Sequence, residues 1–391
     1  MTEVDGRGQD AVFPEIPAFP EPIHVGRPNI ARPEEFLELV AGALDRHWLS
    51  NGGPLVSEFE RRVAELLGVR HCVAIVNGTI ALEIAITALG LSGEVIVPSW
   101  TFVATVHALQ RHSITPVFAD IDPDTHALDP ASVRSKITAR TSGIIPVHLW
   151  GRVAPVDELA EIADEHNLTL LYDAAHAFGV GQGARMVGSF GDAEVLSFHA
   201  TKFFNTIEGG AIVTNEDEVA ERARLLRNFG FAGEDNVISV GTNGKMHEIS
   251  AAMGLSNLDG LDELVATNRQ NYETYIRLVE GLPGLQILPV GNGDRRNYQY
   301  VVMLVDDDCP VSRDTLLAGL RRNNILARRY FWPGVHRMEP YRSLQPEAGA
   351  SLPATEKVSE QVIVLPTGTS VSPDDIHTIV SVLASTISPD E

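Results

Sequence analysis

The chain has 391 residues, 44% of them hydrophobic and 21% charged, which is ordinary for a soluble globular protein of two or three domains. Its 30 basic and 52 acidic residues leave a formal net charge of −22, which repels phosphate backbones and anionic lipid and argues against nucleic-acid or membrane partners. Two cysteines, Cys72 and Cys309, match no zinc or redox spacing and exclude a disulfide scaffold, and no apolar run reaches the ~20 residues of a membrane helix. The opening MTEVDGRGQD is acidic and lacks the basic-then-apolar order of a signal peptide, so a cytoplasmic protein is expected.

Residues 1–25, rich in Pro, Gly and Glu, predict a mobile arm. An alternation follows. HCVAIVN (71–77), GEVIVPS, ITPVFADI, SGIIPVHLW (142–150), LTLLYD (168–173), EVLSFHA (194–200) and GAIVTN (210–215) predict strands. TIALEIAITALG, TFVATVHALQRH, APVDELAEIADEHN and EDEVAERARLLRNFG predict helices. The strands are near-continuous apolar runs, as a parallel sheet covered on both faces requires, and the crossovers mean an α/β layered domain. A long helical stretch, 248–282, bridges to a smaller α+β unit built from QILPV, YQYVVMLV, SRDTLLAGLRRNN, VIVLP and DDIHTIVSVLASTI. The division expected is an arm (1–25), a large α/β domain (26–255), and a bridging helix with a small α+β domain (256–391).

In such sheets ligands sit beyond the carboxyl ends of the strands, so the residues just after each strand are the candidates. Gly78 and Thr79, with Asn77, open a helix after a strand; the free N–H groups suit a phosphate, although this motif alone favours a plain N-cap by Thr79 or Asn77. Asp173 ends a buried strand, where a carboxylate is costly unless a cation pairs with it, and His176 follows three residues on. Ser197 and Lys202 follow EVLSFHA. Aromatic and small neighbours around Lys202 suit a desolvated, nucleophilic amine, against the alternative of a snorkelling side chain. Phe102 is either core or a flat lid on a ring. Together a phosphate cradle, an aromatic plate, a carboxylate and an amine match the demands of pyridoxal phosphate. GVGQGARMVG opens no helix and is no dinucleotide fingerprint; no P-loop, GxSxG elbow or HExxH spacing is present.

The blocks LSNGGPLVSEFE, NGTIAL, PSWTFVAT, PVHLWG, YDAAHAFG, SFHATKFFNTIEGGAIVTN, GTNGKMHEISAAMG and LPATEKVSEQVIVLPTG resemble, in order, those of the DegT/DnrJ/StrS sugar-nucleotide aminotransferases, a group of fold-type-I pyridoxal phosphate enzymes. The resemblance implies a large domain with a mainly parallel sheet flanked by helices. It implies that Lys202 forms the Schiff base, that Asp173 pairs with the pyridine nitrogen, and that His176 contacts the ring hydroxyl where relatives often carry Gln. Phe102 would stack on the ring, and Gly78, Thr79 and Ser197 would hold the phosphate. Asn243 would reach the phosphate from a neighbouring subunit, which implies a homodimer. Lys245 stands where many relatives have arginine. FFNTIEGG with GTNGKM is similar to enzymes that aminate a 4-keto-6-deoxyhexose on a nucleoside diphosphate, typically dTDP, with L-glutamate as donor. Arg329, Tyr330 and His336, in RRYFWPGVHRMEPY, suit a sugar or diphosphate, or form a surface loop. Three alternatives remain: a sugar 3-dehydratase, which Lys202 argues against; a 3-aminotransferase on a 3-keto sugar; and a non-catalytic cofactor-binding regulator.

Overall fold

A computed structural model describes residues 16–291 and 295–388. In chain order the elements begin with β1 (Ile23–His24), α1 (Pro33–Asp45), α2 (Pro54–Leu67), β2 (His71–Ile75), α3 (Gly78–Leu89), β3 (Glu94–Pro98), α4 (Val103–Arg111) and β4 (Thr115–Ala119). Then come α5 (Pro130–Lys136), β5 (Thr141–Ile144), α6 (Val156–His166), β6 (Thr169–Asp173), a small hairpin β7 (Gly181–Gln182) and β8 (Arg185–Met186), β9 (Ala193–Ser197), β10 (Gly210–Thr214) and α7 (Asp217–Leu226). The last part holds α8 (Glu248–Asp259), α9 (Leu261–Val279), β11 (Leu285–Ile287), β12 (Val301–Val305), α10 (Arg313–Arg322), β13 (Ile325–Leu326), α11 (Tyr341–Leu344), α12 (Pro353–Gln361), β14 (Val362–Leu365) and α13 (Pro373–Ile387).

The central sheet has seven strands in the order β2-β10-β9-β6-β5-β3-β4. The apolar runs that predicted it are buried on both faces: Val73, Ile75, Ile96, Val97, Leu170, Leu171, Val195, Leu196, Ile212 and Val213 are all closed to solvent. The helices stop where their sequences say. Gly68 and Gly90 adopt left-handed backbone at φ 67° and 73°, and Asn77 caps α3 by accepting from the Ile80 N–H.

The sheet is mainly parallel, as expected; β10 is the exception and runs antiparallel to both β9 and β2, with Gly210 opposite Ser197. A parallel crossover needs a dozen or more residues, usually with a helix, and the stretch 198–209 carries no helical element. The strand expected over 142–150 ends at Ile144, ahead of Pro146, and Trp150 turns into left-handed backbone at φ 54°. The helical stretch 248–282 is two helices, because the backbone leaves helical geometry at Gly260 (φ −108°, ψ 16°), where a Cβ would come within 2.3 Å of the Ala31 Cβ. The change of packing partners falls at this glycine, not at 255: α8 lies against α1 and α2, whereas α9 lies against α13 and β11. Finally, residues 16–25 are not a free arm. Phe19 and Val25 are buried, and β1 pairs with β13. Residues 1–15 of the expected arm lie outside those described.

A second sheet, β11-β12-β14, is antiparallel and is covered by α9, α10 and α13 around Tyr275, Met303, Leu316 and Leu383. Between the sheets lies an aromatic seam in which Trp100 meets Trp150 and Phe331 edge-on, with Tyr300 and Val364 beside them. This seam floors the cavity described next. Among the described residues no helix is long and apolar enough to cross a membrane.

Candidate active site

The carboxyl ends of β2, β3, β6 and β9 face one cavity of about 470 Å³. Their order in the sheet brings Gly78, Thr79, Phe102, Asp173, His176, Ser197 and Lys202 to its wall, together with Tyr330 from the loop after β13. Sequence positions more than a hundred residues apart therefore meet because parallel strands share one polarity.

Lys202 sits in the turn after β9, its N–H donating to the His199 carbonyl at 2.8 Å. Its Nζ lies 3.5 Å from the Tyr300 hydroxyl. Burial draws its amine from 10.5 down to about 8, against the opposing pull of Asp173. The neutral fraction of such an amine rises with pH and is nearly complete a unit above 8. The rate at which the apo-protein captures pyridoxal phosphate is therefore expected to climb about tenfold per pH unit below 8 and to level off above it. Stopped-flow absorbance measures this, and a rate still climbing at about pH 10 would show an ordinary lysine.

Asp173 ends β6 and is 5% exposed. One oxygen accepts from the Thr105 hydroxyl at 2.7 Å and the other from the Ala175 N–H at 3.1 Å. Burial pushes its carboxyl up against those two hydrogen bonds and the Lys202 charge. Among the described residues it makes no ion pair, so this buried carboxylate is under-compensated and suited to a cationic partner. His176 accepts from the Trp150 N–H at its Nδ1, 3.3 Å away, which leaves the ring proton on Nε2. Burial, then the nearby Lys202 charge, holds His176 well below the usual histidine range, so it is a neutral donor at neutral pH. Phe331 stacks on it at 5.9 Å and 8°.

The first N–H groups of α3, on Gly78 and Thr79, have no intrahelical acceptor. A Cβ at Gly78 would lie 3.0 Å from the Ser197 Cβ, and one at Gly210 would lie 2.7 Å from the Asn77 carbonyl carbon. These two positions keep the backbone close enough for the N–H groups and the Ser197 hydroxyl to face one small anion.

The remaining sequence candidates lie elsewhere. His336 is neither a pocket residue nor part of a surface loop. It is 2% exposed, its Nδ1 2.6 Å from the Ser99 Oγ and its Nε2 2.5 Å from a Glu356 carboxylate oxygen. It ties the loop after β13 to the end of β3. His336→Ala is expected to lower unfolding stability by about 1–3 kcal/mol through the unpartnered polar groups it leaves; an unchanged urea midpoint would remove this role. Arg329 donates to Asp314 at 3.1 Å and stacks over Trp332 at 3.9 Å, outside the main cavity. Lys245 binds the Asn228 side chain at 2.9 Å and lies over the Phe229 ring. Asn243 is exposed and pairs by backbone with Asn228, away from the cavity of its own chain.

Thr105, Tyr300 and Phe331 escaped the sequence argument. Tyr300, just before β12, and Phe331, in the loop after β13, come from outside the seven-stranded sheet, and no strand-end rule points to them. Thr105 lies one turn into α4, three residues from Phe102, and its side chain turns back to Asp173; helical spacing from a known wall residue was the signal available.

An amine near pH 8, an under-compensated carboxylate and an anion cradle in one cavity define a family, and the comparisons agree. Residues 31–384 match the DegT/DnrJ/EryC1/StrS aminotransferase family. The chain belongs to that family. It is a pyridoxal phosphate-dependent transaminase. This aminotransferase is 39% identical to dTDP-4-amino-4,6-dideoxy-D-glucose transaminase of Shigella dysenteriae over 93% of its own length and 98% of the relative's. It is 36% identical to the Escherichia coli protein of the same name, over 92% and 98%. Its fold superposes on the crystal structure of DesI in the presence of its TDP-sugar product with a TM-score of 0.90, at 47% identity and 95% coverage of each chain. The cavity residues fit the cofactor: the cradle at Gly78 suits its phosphate, the buried Asp173 suits a cationic ring nitrogen, and the neutral His176 Nε2 suits a ring oxygen.

Proposed function

We propose that this aminotransferase transfers an amino group from L-glutamate to a dTDP-linked 4-keto-6-deoxy-D-glucose, giving the 4-amino-4,6-dideoxy sugar for deoxyaminosugar biosynthesis. The observation that carries the chemistry is the Lys202 amine, near pH 8, in the cavity that also holds Asp173. The substrate follows from the named activity of the two transaminase relatives and from the sugar-nucleotide product of DesI.

Bound pyridoxal phosphate supplies an electron sink and a carrier for the amino group. Lys202 would hold the cofactor through its Nζ, and the free amine would take up and return the proton moved during transfer; an amine near pH 8 suits both. Asp173 would keep the ring nitrogen protonated. Thr105 and the Ala175 N–H fix which carboxylate lone pairs remain free. His176 Nε2 donates toward the ring oxygen. Gly78, Thr79 and Ser197 hold the phosphate, and Phe102, 55% exposed at the mouth, covers the ring face.

The working unit is a homodimer in which Asn243, and with it Lys245, serves the partner's cavity. In support, the segment that ends at Asn243 exposes Phe229, Phe231, Val237, Ile238 and Val240, an apolar run that a second copy would cover. Both cysteines are free, which supports a cytoplasmic setting.

The test is a panel of nucleotide-linked 3-keto and 4-keto sugars with glutamate and cofactor, the products identified by NMR, and the mass in solution by light scattering. Amination at C3 alone, or no amination, overturns the substrate; a monomer at micromolar concentration overturns the dimer.

A further inference from the structure

Lys202 sits in a stretch, 198–209, that carries no helix or strand, so regular structure does not fix where its amine lies. The second sheet does. Residues 297–300 lead into β12, the middle strand of that sheet, and turn Asn297, Gln299 and Tyr300 toward the catalytic wall. All three are buried. The Gln299 amide brackets Lys202 in the chain: its Oε1 accepts from the Phe203 N–H at 2.5 Å, and its Nε2 donates to the Thr201 carbonyl at 3.3 Å. Each end meets a main-chain group of fixed chemistry, so this side chain must accept at one end and donate at the other. An amide does both; a carboxylate, an ammonium or an alkyl chain does not. The bracket is itself anchored to the wall. The Asn297 Oδ1 accepts from the Gln299 N–H at 3.1 Å, and the Asn297 Nδ2 donates to the His176 carbonyl at 2.8 Å. The approach is close: a Cβ at Gly151 would come within 2.5 Å of the Asn297 Oδ1 and 2.8 Å of the Gln299 carbonyl oxygen. Next in the chain, Tyr300 sets its hydroxyl 3.5 Å from the Lys202 Nζ.

We infer that Gln299 is a positioning residue for the Lys202 amine, so that the packing of the second sheet on the first aligns the reactive group. The inference rests on the role given to Lys202 above and deepens it. Gln299 is not a wall residue of the cavity, and it acts through the two peptides that flank Lys202. Those peptides set where the Lys202 Cα sits and from which direction Nζ enters. A displacement of about 1 Å in such a group costs on the order of 10²-fold in rate. Asn29 donates to the Phe203 carbonyl at 2.9 Å from elsewhere, so a change at Gln299 removes the bracket and leaves the turn tethered.

The experiment compares Q299L and the shorter amide Q299N with wild type, and takes N271L as its control. Asn271 is a buried amide of α9 that donates to the Gly368 carbonyl at 3.1 Å and the Val371 carbonyl at 3.3 Å, and it is no part of the cavity wall. One readout is the glutamate half-reaction of the holoenzyme in a single turnover. The other is the pH dependence of cofactor capture by the apo-protein, whose break lies near 8 in wild type because burial holds the Lys202 amine down. Q299L is expected to slow the half-reaction at least tenfold at saturating glutamate. Its break is expected to rise from about 8 toward 10.5, because an amine released from its bracket regains water. Asp173, His176, Tyr300 and Tyr330, the titratable groups that face Lys202, are unchanged in it. Q299N is expected to fall between Q299L and wild type on both readouts, and it stands in for Q299L if circular dichroism shows the latter unfolded. N271L is expected to stay within twofold of the wild-type rate with its break near 8. A folded Gln299 variant that keeps the wild-type value of either readout overturns the positioning role, as does an N271L that slows as much as Q299L. A wild type that fails to convert its cofactor band with glutamate overturns the Lys202 reading itself. A wild type that converts it while Q299L behaves identically loses only the bracket.

Discussion

Lys202→Ala is expected to end steady-state transamination. Two functions vanish with one atom. In the proposed role Nζ would attach the cofactor covalently, and among the described wall residues it is the only amine whose position in the cavity and neutral form near pH 8 would let it carry the transferred proton. Loss of positioned acid–base catalysis alone costs about 10²–10⁴-fold, and loss of the attached cofactor adds to it. The side chain is desolvated, so its removal relieves a buried charge and does not unfold the protein. The variant is therefore expected to keep its far-ultraviolet spectrum and unfolding midpoint while turnover drops to background. Borohydride reduction of the loaded wild type followed by peptide mapping should mark Lys202. Measurable turnover in the alanine variant, or a label at another lysine, would refute the assignment.

Asp173→Asn is expected to have the next largest effect, with the opposite structural signature. The amide keeps the size of the carboxylate; its oxygen can still accept from the Ala175 N–H while its NH2 donates to the Thr105 hydroxyl oxygen, so folding survives. What disappears is a full negative charge at a site 5% exposed, where electrostatic interactions are strong. Without it the ring nitrogen has no reason to stay protonated and the electron sink weakens. A fall of about 10²–10³-fold in the proton-transfer step is expected, by analogy with removing one preorganised polar partner of a developing charge. The glutamate half-reaction, followed in a single turnover, measures this step apart from substrate binding. An unchanged rate would remove Asp173 from the chemistry. In the cofactor-free protein burial raises the carboxyl of Asp173, so cofactor capture is expected to weaken on acidification before ordinary surface carboxylates titrate, and the Asn variant should lack that acid limb.

Much of the catalytic wall was legible before any coordinates. Strand ends can be located from apolar runs, and the parallel-sheet rule says that those ends face one ligand; Gly78, Thr79, Phe102, Asp173, His176, Ser197 and Lys202 all line the cavity for that reason. Two substrate candidates fared worse. His336 and Arg329 have the composition of a ligand site, but composition carries no direction: one imidazole is spent between Ser99 and Glu356, and one guanidinium between Asp314 and Trp332.

The sequence by itself determined the layered α/β architecture, the strand-end residues and the amine, because periodicity, chain polarity and residue chemistry are local properties. Only the tertiary structure decided that β10 runs against its neighbours and that Tyr300 and Phe331, from outside the seven-stranded sheet, reach Lys202 and His176. Those facts depend on distances between segments remote in the chain, and no local pattern records them.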